Sequence, residues 1–339
     1  GSGAFAAIAA VKPGQCVIAS FFAAGAPLPR QGRAACRHTT ESRNDRMKKA
    51  FFLLFAVLAL PAAAELRLTD DAGRTVVLAA PAQRIVSLAP HVTELLFAAG
   101  AGGKVVGATQ YSDYPEAAKT IPRVGGYTSV DMEAVVALKP DLVIAWKSGN
   151  RNQQYDRLEK LGIPVFVNEP RSLDDVARAI ETFGRIANTP REAEEAARAF
   201  RARRDALAKQ YAARPPVAVF YQIWNKPLMT INGQHLISDV MALCGGRNVF
   251  AGLPILAPTV TEEAVLAAAP EVIVASGMGE SRPEWLDAWR RWSALPAVKG
   301  DNLYFIPPEI LQRHTPRILD GAQKLCEQLE QARQKAGRK

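Results

Sequence analysis

The feature that most constrains this chain is a helix predicted over residues 189–212, TPREAEEAARAFRARRDALAKQYA. Pro190 suits the first helical position, and Thr189 and Glu192 have the spacing of a capping box, in which both side chains bond unpaired amides of the first turn. The next Pro or Gly is Pro215. The apolar positions recur on one face: Ala193, Ala197, Phe200, Leu207 and Tyr211. At about 1.5 Å per residue the helix would be roughly 35 Å long, about the width of a small domain.

The opposite face of this helix is charged. Glu194 lies four residues before Arg198, and Asp205 lies four residues before Lys209. Acid-first pairs at this spacing stabilise a helix surface, so we expect both ion pairs to form. The pattern predicts a rigid rod with one buried face and one face in water.

Two similar segments lie on either side of the long helix. Residues 133–146 read EAVVALKPDLVIAW, and residues 263–276 read EAVLAAAPEVIVAS. Each predicts a short helix that begins near a glutamate, then a Pro-acid turn and a buried strand. Repetition at so long a period indicates duplicated architecture, although a helix, a Pro-acid turn and a strand also form a common α/β unit.

Strands and helices alternate along the rest of the chain, which is typical of a mostly parallel sheet flanked by helices. After an N-terminal hairpin at residues 65–77, the predicted strands are 84–88, 104–108, 142–146, 165–167, 217–223, 272–275 and 303–306. We therefore predict an α/β fold of two similar lobes, residues 65–188 and 214–339, joined by a bridging helix at residues 189–213.

The N-terminal region holds most of the basic excess. The formal charge is +9, and residues 1–64 contain eight Lys or Arg and two acids, so the lobes are close to balanced. The charge therefore does not indicate a nucleic-acid partner.

Residues 47–64, MKKAFFLLFAVLALPAAA, have the three parts of a cleavable secretory signal: a basic start, a short apolar run and an Ala-x-Ala end. We expect cleavage after Ala64 and a periplasmic mature protein; the alternative is an uncleaved anchor helix. The position after Ala64 is not Cys, which argues against a lipid anchor. Residues 1–46 have no pattern and are interpreted as a non-native or mis-called extension.

The chain has four cysteines, of which Cys16 and Cys36 precede the expected cleavage position. Cys244 and Cys326 remain, an even pair in a chain predicted to be exported. An oxidising compartment would allow them to form a disulfide, and the alternative is two separate buried thiols.

Motifs for catalysis or metal binding are not apparent. The glycines of residues 100–107, GAGGKVVG, follow a predicted helix and open a strand, which is the reverse of a dinucleotide-binding loop. His91, His235 and His314 are far apart in the sequence and lack ligand spacing. We therefore expect a protein that is not an enzyme, with no cofactor and no dedicated metal site.

Aromatic side chains stand instead where predicted strands end. Tyr111, Tyr127, Trp146 and Trp224 all lie in or beside such loops. In open α/β sheets ligands bind beyond the carboxyl ends of the strands, so aromatics at these places predict a cleft for a large flat ligand. The alternative is that each ring packs against its own lobe.

Three segments together resemble the periplasmic cobalamin-binding proteins of vitamin ABC importers. They are QYSDYP at residues 110–115, MEAVVALKPDLVIAW at residues 132–146 and LCGGRNVF at residues 243–250. The resemblance extends over about residues 84–330. It implies a class III periplasmic binding protein of the helical-backbone metal-receptor type, with two α/β lobes on one long helix and the ligand between them.

The resemblance also implies which side chains would contact a corrinoid. The matching positions are Tyr111, Tyr127 and Trp146 in the first lobe and Glu309 and Arg313 in the second. Tyr127 stands where the family has Trp, and Glu309 where it has Asp. Ala257 replaces another Trp, and Trp224 lies next to a matching aromatic position, where it would compensate.

Two further expectations follow from the resemblance. Glu133 and Glu263 match one acid per lobe that docks on arginines of the transmembrane permease, whose ATPase subunits are cytoplasmic; the alternative is a pair of solvated acids at helix starts. Cys244 and Cys326 match the family's disulfide. The free protein is expected to be a monomer.

The expected function is capture of cobalamin or another corrinoid in the cleft and its delivery to an inner-membrane ABC transporter. A haem or ferric-siderophore receptor is the alternative with the same fold, and Tyr127 or His314 would then be the axial ligand of haem. A periplasmic corrinoid-modifying enzyme or an envelope chaperone is the alternative of a different class. An enzyme would need a nucleophile in the cleft, and a chaperone would need an exposed apolar groove.

Overall fold

Two parallel four-stranded sheets dominate the computed structural model, which describes residues 65–277 and 281–337. The predicted extension at residues 1–46 and the predicted signal at residues 47–64 lie outside the described residues. The strands are β1 (Leu66–Thr69), β2 (Thr75–Leu78), β3 (Ile85–Ser87), β4 (Val105–Ala108), β5 (Leu142–Trp146), β6 (Val165–Asn168), β7 (Val217–Gln222), β8 (Trp224–Asn225), β9 (Leu228–Met229), β10 (Gly246–Asn248), β11 (Val272–Ala275) and β12 (Leu303–Phe305).

Helices alternate with these strands along the chain. They are α1 (Pro90–Ala98), α2 (Met132–Ala137), α3 (Asn152–Lys160), α4 (Leu173–Ala187), α5 (Pro190–Tyr211), α6 (Leu236–Leu243), α7 (Glu262–Ala268), α8 (Pro296–Lys299), α9 (Pro308–Leu311) and α10 (Ile318–Gly337). Short 3₁₀ helices cover Gly102–Lys104, Glu116–Thr120 and Glu284–Arg291. Within the described residues, none of the helices is long and apolar enough to cross a membrane.

The two sheets have the same topology. The strand order is β4-β3-β5-β6 in the first sheet and β10-β7-β11-β12 in the second, and every pairing is parallel. In each sheet the second strand along the chain therefore lies at an edge beside the first. The repeated segments supply the third strand of each sheet, β5 and β11. The duplication predicted from sequence is thus present in the fold. In each sheet the order of the strands reverses between the first strand along the chain and the third, and open α/β sheets bind ligands at such a point.

Alternating side chains along the central strands divide the core into layers. Leu142 and Ile144 of β5 contribute to a large core that also includes Val272 and Val274 of β11 and residues of α5. The intervening positions on each strand face a smaller outer core belonging to one sheet alone. The large core is therefore continuous across both sheets, because the period of two in a strand presents one face inward and the other outward. The described residues form one compact unit, so the lobe boundaries at 188 and 214 stay a prediction.

Helix α5 is the predicted bridging helix, and its buried residues are those that the spacing indicates: Ala193, Ala197, Phe200, Leu207 and Tyr211. The predicted capping box is wrong. The hydroxyl of Thr189 bonds no amide of the helix and donates instead to the carbonyl of Ala99 at 2.6 Å. That contact ties the start of α5 to the loop after α1.

The charged face of α5 pairs partly as expected. Glu194 and Arg198 approach to 3.8 Å, but Asp205 pairs with its neighbour Arg204 at 2.7 Å, and the described residues show no pair between Asp205 and Lys209. The stronger contacts are tertiary. Arg201 bonds Glu181 of α4, with 3.0 Å from Nη2 to Oε2, and Arg203 bonds Asp320 of α10 at 2.6 Å. Helix α5 is thereby held on both sides.

A disulfide joins Cys244, at the end of α6, to Cys326 of α10, with a sulfur–sulfur distance of 2.06 Å. The two cysteines are 82 residues apart in the chain. The alternative of two separate thiols is therefore wrong. The bond links the C-terminal helix α10 to α6, the helix between β9 and β10 in the chain.

Candidate ligand-binding cleft

A cavity of about 450 Å³ lies at the carboxyl ends of both sheets. Pro90 and His91 follow β3, Trp146 ends β5, and Gly277 follows β11. In the first sheet the cavity therefore opens where the strand order changes direction, between β3 and β5, and in the second sheet it lies beyond β11 and β12. The carboxyl ends of parallel strands are where open α/β sheets bind ligands. Another cavity, of about 470 Å³, lies at the amino ends of β7 and β12 beside Pro215 and Asn302. Position rather than volume thus distinguishes the candidate site.

The structure brings together five of the residues that the sequence singled out. Tyr111, Tyr127, Trp146, Glu309 and Arg313 all line the cavity. Trp224 does not. It lies in β8, and its indole N–H donates to the carbonyl of Lys226 at 3.0 Å. Ala257 is also absent from the described lining.

One wall of the cavity is aromatic. The rings of Tyr127 and Trp146 lie 5.7 Å apart between centroids, and His91 meets Trp146 edge-on at 5.2 Å. Tyr127 is 39% exposed and Tyr111 is 70% exposed, although the apolar ring of a tyrosine is usually buried and only its hydroxyl reaches water. Exposed aromatic faces beside a cavity can stack on a flat ligand.

The backbone of this wall is held by a small hydrogen-bond network. The amide of Trp146 donates to Asn150 Oδ1 at 2.6 Å, and the hydroxyl of Tyr155 donates to the carbonyl of Trp146 at 2.7 Å. Asn150 Nδ2 donates to the carbonyls of Leu88 and Tyr127 at 3.0 Å and 2.6 Å. Sequence reasoning missed Asn150, although it stands four residues beyond the motif that ends in Trp146.

Helix α9 and the residues after it supply the polar wall. Glu309 and Arg313 are four residues apart, and both line the cavity from the C-terminal half of the chain. Arg313 Nη1 donates to Asp113 Oδ1 at 2.5 Å, so this cation already has a partner from the first sheet's loops. Five of the ten buried side-chain polar atoms that lack a hydrogen bond in the described structure belong to cavity-lining residues: His91, Trp146, Glu309, Gln312 and His314. Such atoms are uncommon in buried places, and their concentration here is typical of a binding site.

The histidines, which the sequence separates, form a cluster beside this cavity. His314 lies 5.7 Å from His91 and 5.5 Å from His235 between ring centroids. Burial, with a smaller contribution from the charge of Arg313, lowers the pKa of His91 to about 3, and burial beside Arg171 lowers the pKa of His235 to about 4. Burial and then the neighbouring imidazoles lower the pKa of His314 well below its usual 6.5.

These histidines are therefore neutral at ordinary pH. Within the described residues, no group of His, Cys, Asp or Glu is arranged to hold a metal ion by itself. Two of the histidines, His91 and His314, line the cavity and give it a polar but uncharged surface, which suits a large ligand with mixed polar and apolar parts.

Glu133 and Glu263 occupy equivalent places away from the cavity. Each lies in the first turn of its helix, α2 or α7, and each is exposed. Asp131 and Thr261 cap the two helices by accepting bonds from the amides of Ala134 and Ala264. Neither glutamate enters an ion pair within the described residues, so both carboxylates face solvent.

Comparison with known proteins agrees with this geometry. The family model described as periplasmic binding protein matches residues 85–310. A vitamin B12-binding protein of Vibrio cholerae serotype O1 is 39% identical over 251 residues, covering 74% of this chain and 90% of the relative. One of Yersinia pseudotuberculosis is 36% identical over 282 residues, covering 83% and 92%.

Solved structures show the same similarity. The periplasmic vitamin B12 binding protein BtuF of Vibrio cholerae superposes with a TM-score of 0.68 at 39% identity, covering 75% of this chain and 98% of that structure. The heme-binding protein RhuT from Roseiflexus sp. RS-1 has a TM-score of 0.63 at 23% identity, covering 74% and 98%, which supports the fold alone. The chain belongs to the periplasmic binding protein family. Its fold is that of the helix-linked receptors, with one parallel sheet before and one after the long helix in the chain.

Proposed function

We propose that this protein captures cobalamin, or a closely related corrinoid, in the cleft and delivers it to an ABC importer of the inner membrane. The observation that carries the proposal is the pairing of an aromatic wall, Trp146 and Tyr127, with a polar wall, Glu309 and Arg313, in one cavity. Relatives named vitamin B12-binding protein are 39% identical to this chain over most of its length, which supports the same ligand.

The chemistry of the cavity suits a corrinoid. A corrin macrocycle has a broad apolar face, which the rings of Trp146 and Tyr127 can cover, and a rim of amide side chains. Amides donate and accept hydrogen bonds, so Arg313 and Glu309 can hold the rim without a charged partner on the ligand. The neutral side chains of His91 and His314 add polar contact without charge. The role is binding and release, with no covalent step.

The helix between the sheets limits how the cleft can close. Helix α5 is unbroken from Pro190 to Tyr211 and is fastened to α4 and α10 by Arg201 and Arg203. Large hinge closures concentrate in a few residues whose backbone angles change, and this helix supplies no such place. Small-angle X-ray scattering with and without cyanocobalamin should therefore show little change in radius of gyration.

The location and the partner are part of the proposal. A periplasmic receptor fits the signal expected at residues 47–64, with cleavage after Ala64. Within the described residues, Glu133 and Glu263 are exposed, unpaired and equivalent in the two repeats, as acids that dock on two arginine patches of a permease would be. A rim charge of this kind contributes to docking rate and register.

Haem is the second candidate ligand, because His314 lines the cavity and is neutral. A neutral imidazole can bind the iron of haem, and the tetrapyrrole supplies the iron's other four nitrogen ligands. Haemin binding would then shift the Soret band, and His314→Ala or Tyr127→Phe would remove the shift, depending on which side chain is the ligand.

Calorimetric titration of residues 65–339 with cyanocobalamin and with haemin separates these candidates. We expect one-to-one binding of cyanocobalamin, weakened at least roughly thirtyfold by Trp146→Ala, because buried Trp anchors contribute most to such sites. Trp224→Ala is the matched control, since Trp224 lies outside the described cavity lining. Haemin binding without a cyanocobalamin response would move the function to haem, and silence with both ligands would overturn the proposal.

A further inference from the structure

Two ion pairs join the first half of the chain to the segment between α9 and α10. The acids are Glu94 of α1 and Asp113 in the loop after β4, and their partners are Arg317 and Arg313. Arg317 binds Glu94 through Nε and Nη2, both at 2.7 Å, and Arg313 binds Asp113 through Nη1 at 2.5 Å. The Arg317 guanidinium also lies 3.9 Å from the centre of the Tyr114 ring. The partners are 223 positions apart in the chain in the first pair and 200 in the second, so both pairs are purely tertiary contacts.

The two ion pairs differ in exposure. The side chain of Glu94 is 3% exposed and that of Arg317 is 20% exposed, so their pair is a buried structural contact. Asp113 is 49% exposed, and its partner Arg313 lines the ligand cavity. Partial burial alone would raise the pKa of Asp113, but the hydrogen bond and charge of Arg313, with the charge of Arg317, lower that pKa overall. Asp113 is therefore an anion at the edge of the cleft.

This anion changes the charge that a ligand meets. Among the described residues that line the cavity, Glu309 and Arg313 are the two charged side chains, and His91 and His314 are neutral. Arg313 would attract a carboxylate if it were free. Asp113 neutralises it, so the acid Glu309 is left without a compensating cation at the rim. A carboxylate on a ligand would have to displace Asp113 from Arg313 and would be repelled by both acids, whereas an amide needs neither change.

We propose that Asp113 is a specificity-determining residue, which makes the cleft favour macrocycles with uncharged amide rims over those with carboxylate rims. The inference rests on the proposed function and names the feature of the corrinoid that is selected. Asp113 acts through Arg313, so it is a positioning residue for that side chain. Specificity of this kind comes from a repulsive element against the wrong ligand as much as from attraction to the right one.

The test compares two ligands that differ by one group. Cyanocobalamin and its monocarboxylic acids, in which one propionamide is hydrolysed, are titrated calorimetrically into the protein and into Asp113→Asn. We expect at least one monocarboxylic acid to bind the unaltered protein roughly fivefold more weakly than cyanocobalamin, as for a partly exposed charge pair. In Asp113→Asn the ratio of the cyanocobalamin affinity to the monocarboxylic acid affinity should fall to about one or below one, because Arg313 is then free to bind the carboxylate.

Glu116→Gln is the matched control. It removes the same charge three positions further on, but Glu116 is 86% exposed and pairs with Lys119 rather than with Arg313. Its ligand ratio should equal that of the unaltered protein. Adding Arg313→Met to Asp113→Asn should abolish the gain in carboxylate binding, since the proposed effect passes through Arg313.

A measurement on the unaltered protein gives a test that needs no variant to fold. Discrimination between the two ligands should shrink as NaCl rises from about 0.05 M to about 0.5 M, because salt screens exposed charges. Equal ratios for Asp113→Asn and Glu116→Gln, or a salt-independent ratio, would overturn the role of Asp113 while leaving cobalamin binding in place. If the unaltered protein does not bind cyanocobalamin at all, the proposed function itself fails, and the inference fails with it.

Discussion

The indole ring of Trp146 lies against Gly149, where an added Cβ would stand 1.8 Å from the ring carbon Cε3. Any residue larger than glycine would therefore have to displace the ring. Trp146 ends β5 and lines the cavity, so the missing side chain at Gly149 sets the position of the aromatic wall. The turn after β5 thus contributes to the site through a residue that does not line it.

Gly149→Ala should consequently weaken cyanocobalamin binding by about tenfold, since forcing a methyl group into a filled space costs of the order of 1–3 kcal/mol. Calorimetric titration measures the loss. Gly103→Ala is the control, because nothing lies within 4 Å of the Cβ it would add. Equal affinities for the two variants would show that Gly149 does not position the ring.

Charge reversal at Glu133 and Glu263 should abolish cobalamin uptake while leaving ligand affinity unchanged. Both acids lie outside the cavity and face solvent, so their effect should appear only when the permease is present. Uptake of labelled cyanocobalamin into vesicles containing the permease measures it. Glu195→Lys with Glu327→Lys is the control, because these acids are also exposed but lie on α5 and α10. Normal uptake by Glu133→Arg with Glu263→Arg would remove the docking role.

The buried pair of Glu94 and Arg317 should contribute strongly to the free energy of unfolding. Arg317→Met leaves Glu94 buried without a partner, and breaking such a pair costs about 3–5 kcal/mol. Replacing both residues, Glu94→Leu with Arg317→Met, should recover most of that loss because no charge remains buried. Urea unfolding measures each free energy. Glu116→Gln, which breaks an exposed pair, should stay within about 0.5 kcal/mol of the unaltered protein. A loss below about 1 kcal/mol for Arg317→Met would contradict the assignment.

The histidine cluster predicts loss of stability in acid. An unfolded histidine has a pKa near 6.5, whereas the folded pKa values are about 3 for His91 and about 4 for His235. Below pH 6.5 the unfolded chain takes up protons that the folded chain refuses, so the free energy of unfolding falls as the pH is lowered toward the folded pKa. Each such histidine contributes about 1.4 kcal/mol per pH unit across this window.

His235→Asn isolates one of these protons. His235 caps α6 by accepting a bond from the amide of Ile237, and Asn is a good residue at that position, so the helix start should be retained. Urea unfolding between about pH 4.5 and 6.5 should show that the free energy of unfolding falls less steeply as the pH is lowered, by the slope that uptake of about one proton gives. An unchanged slope would mean that His235 also accepts a proton in the folded protein.

Much of the fold could be predicted because the relevant signals are local. The apolar spacing along α5 and the buried run of β5 each depend on residues within a few turns or one strand, and both lie where expected. Thr189 does not cap α5 because its hydroxyl is directed toward the carbonyl of Ala99, a tertiary partner, and not toward the amides of the first turn. Trp224 lies outside the described cavity lining, in β8, which pairs with β9 in a two-stranded hairpin that the sequence did not predict.

The sequence by itself determined the duplicated α/β architecture, the long helix between the repeats and the aromatic residues at strand ends, since periodicity and turn residues act over short stretches of chain. The tertiary structure alone decided that His91, His235 and His314 meet, that Asp113 binds Arg313 and that Glu94 binds Arg317. Such contacts depend on how the two sheets are placed by the shared core and by α5. No local pattern records that placement, because the partners are brought together only when the whole chain is packed.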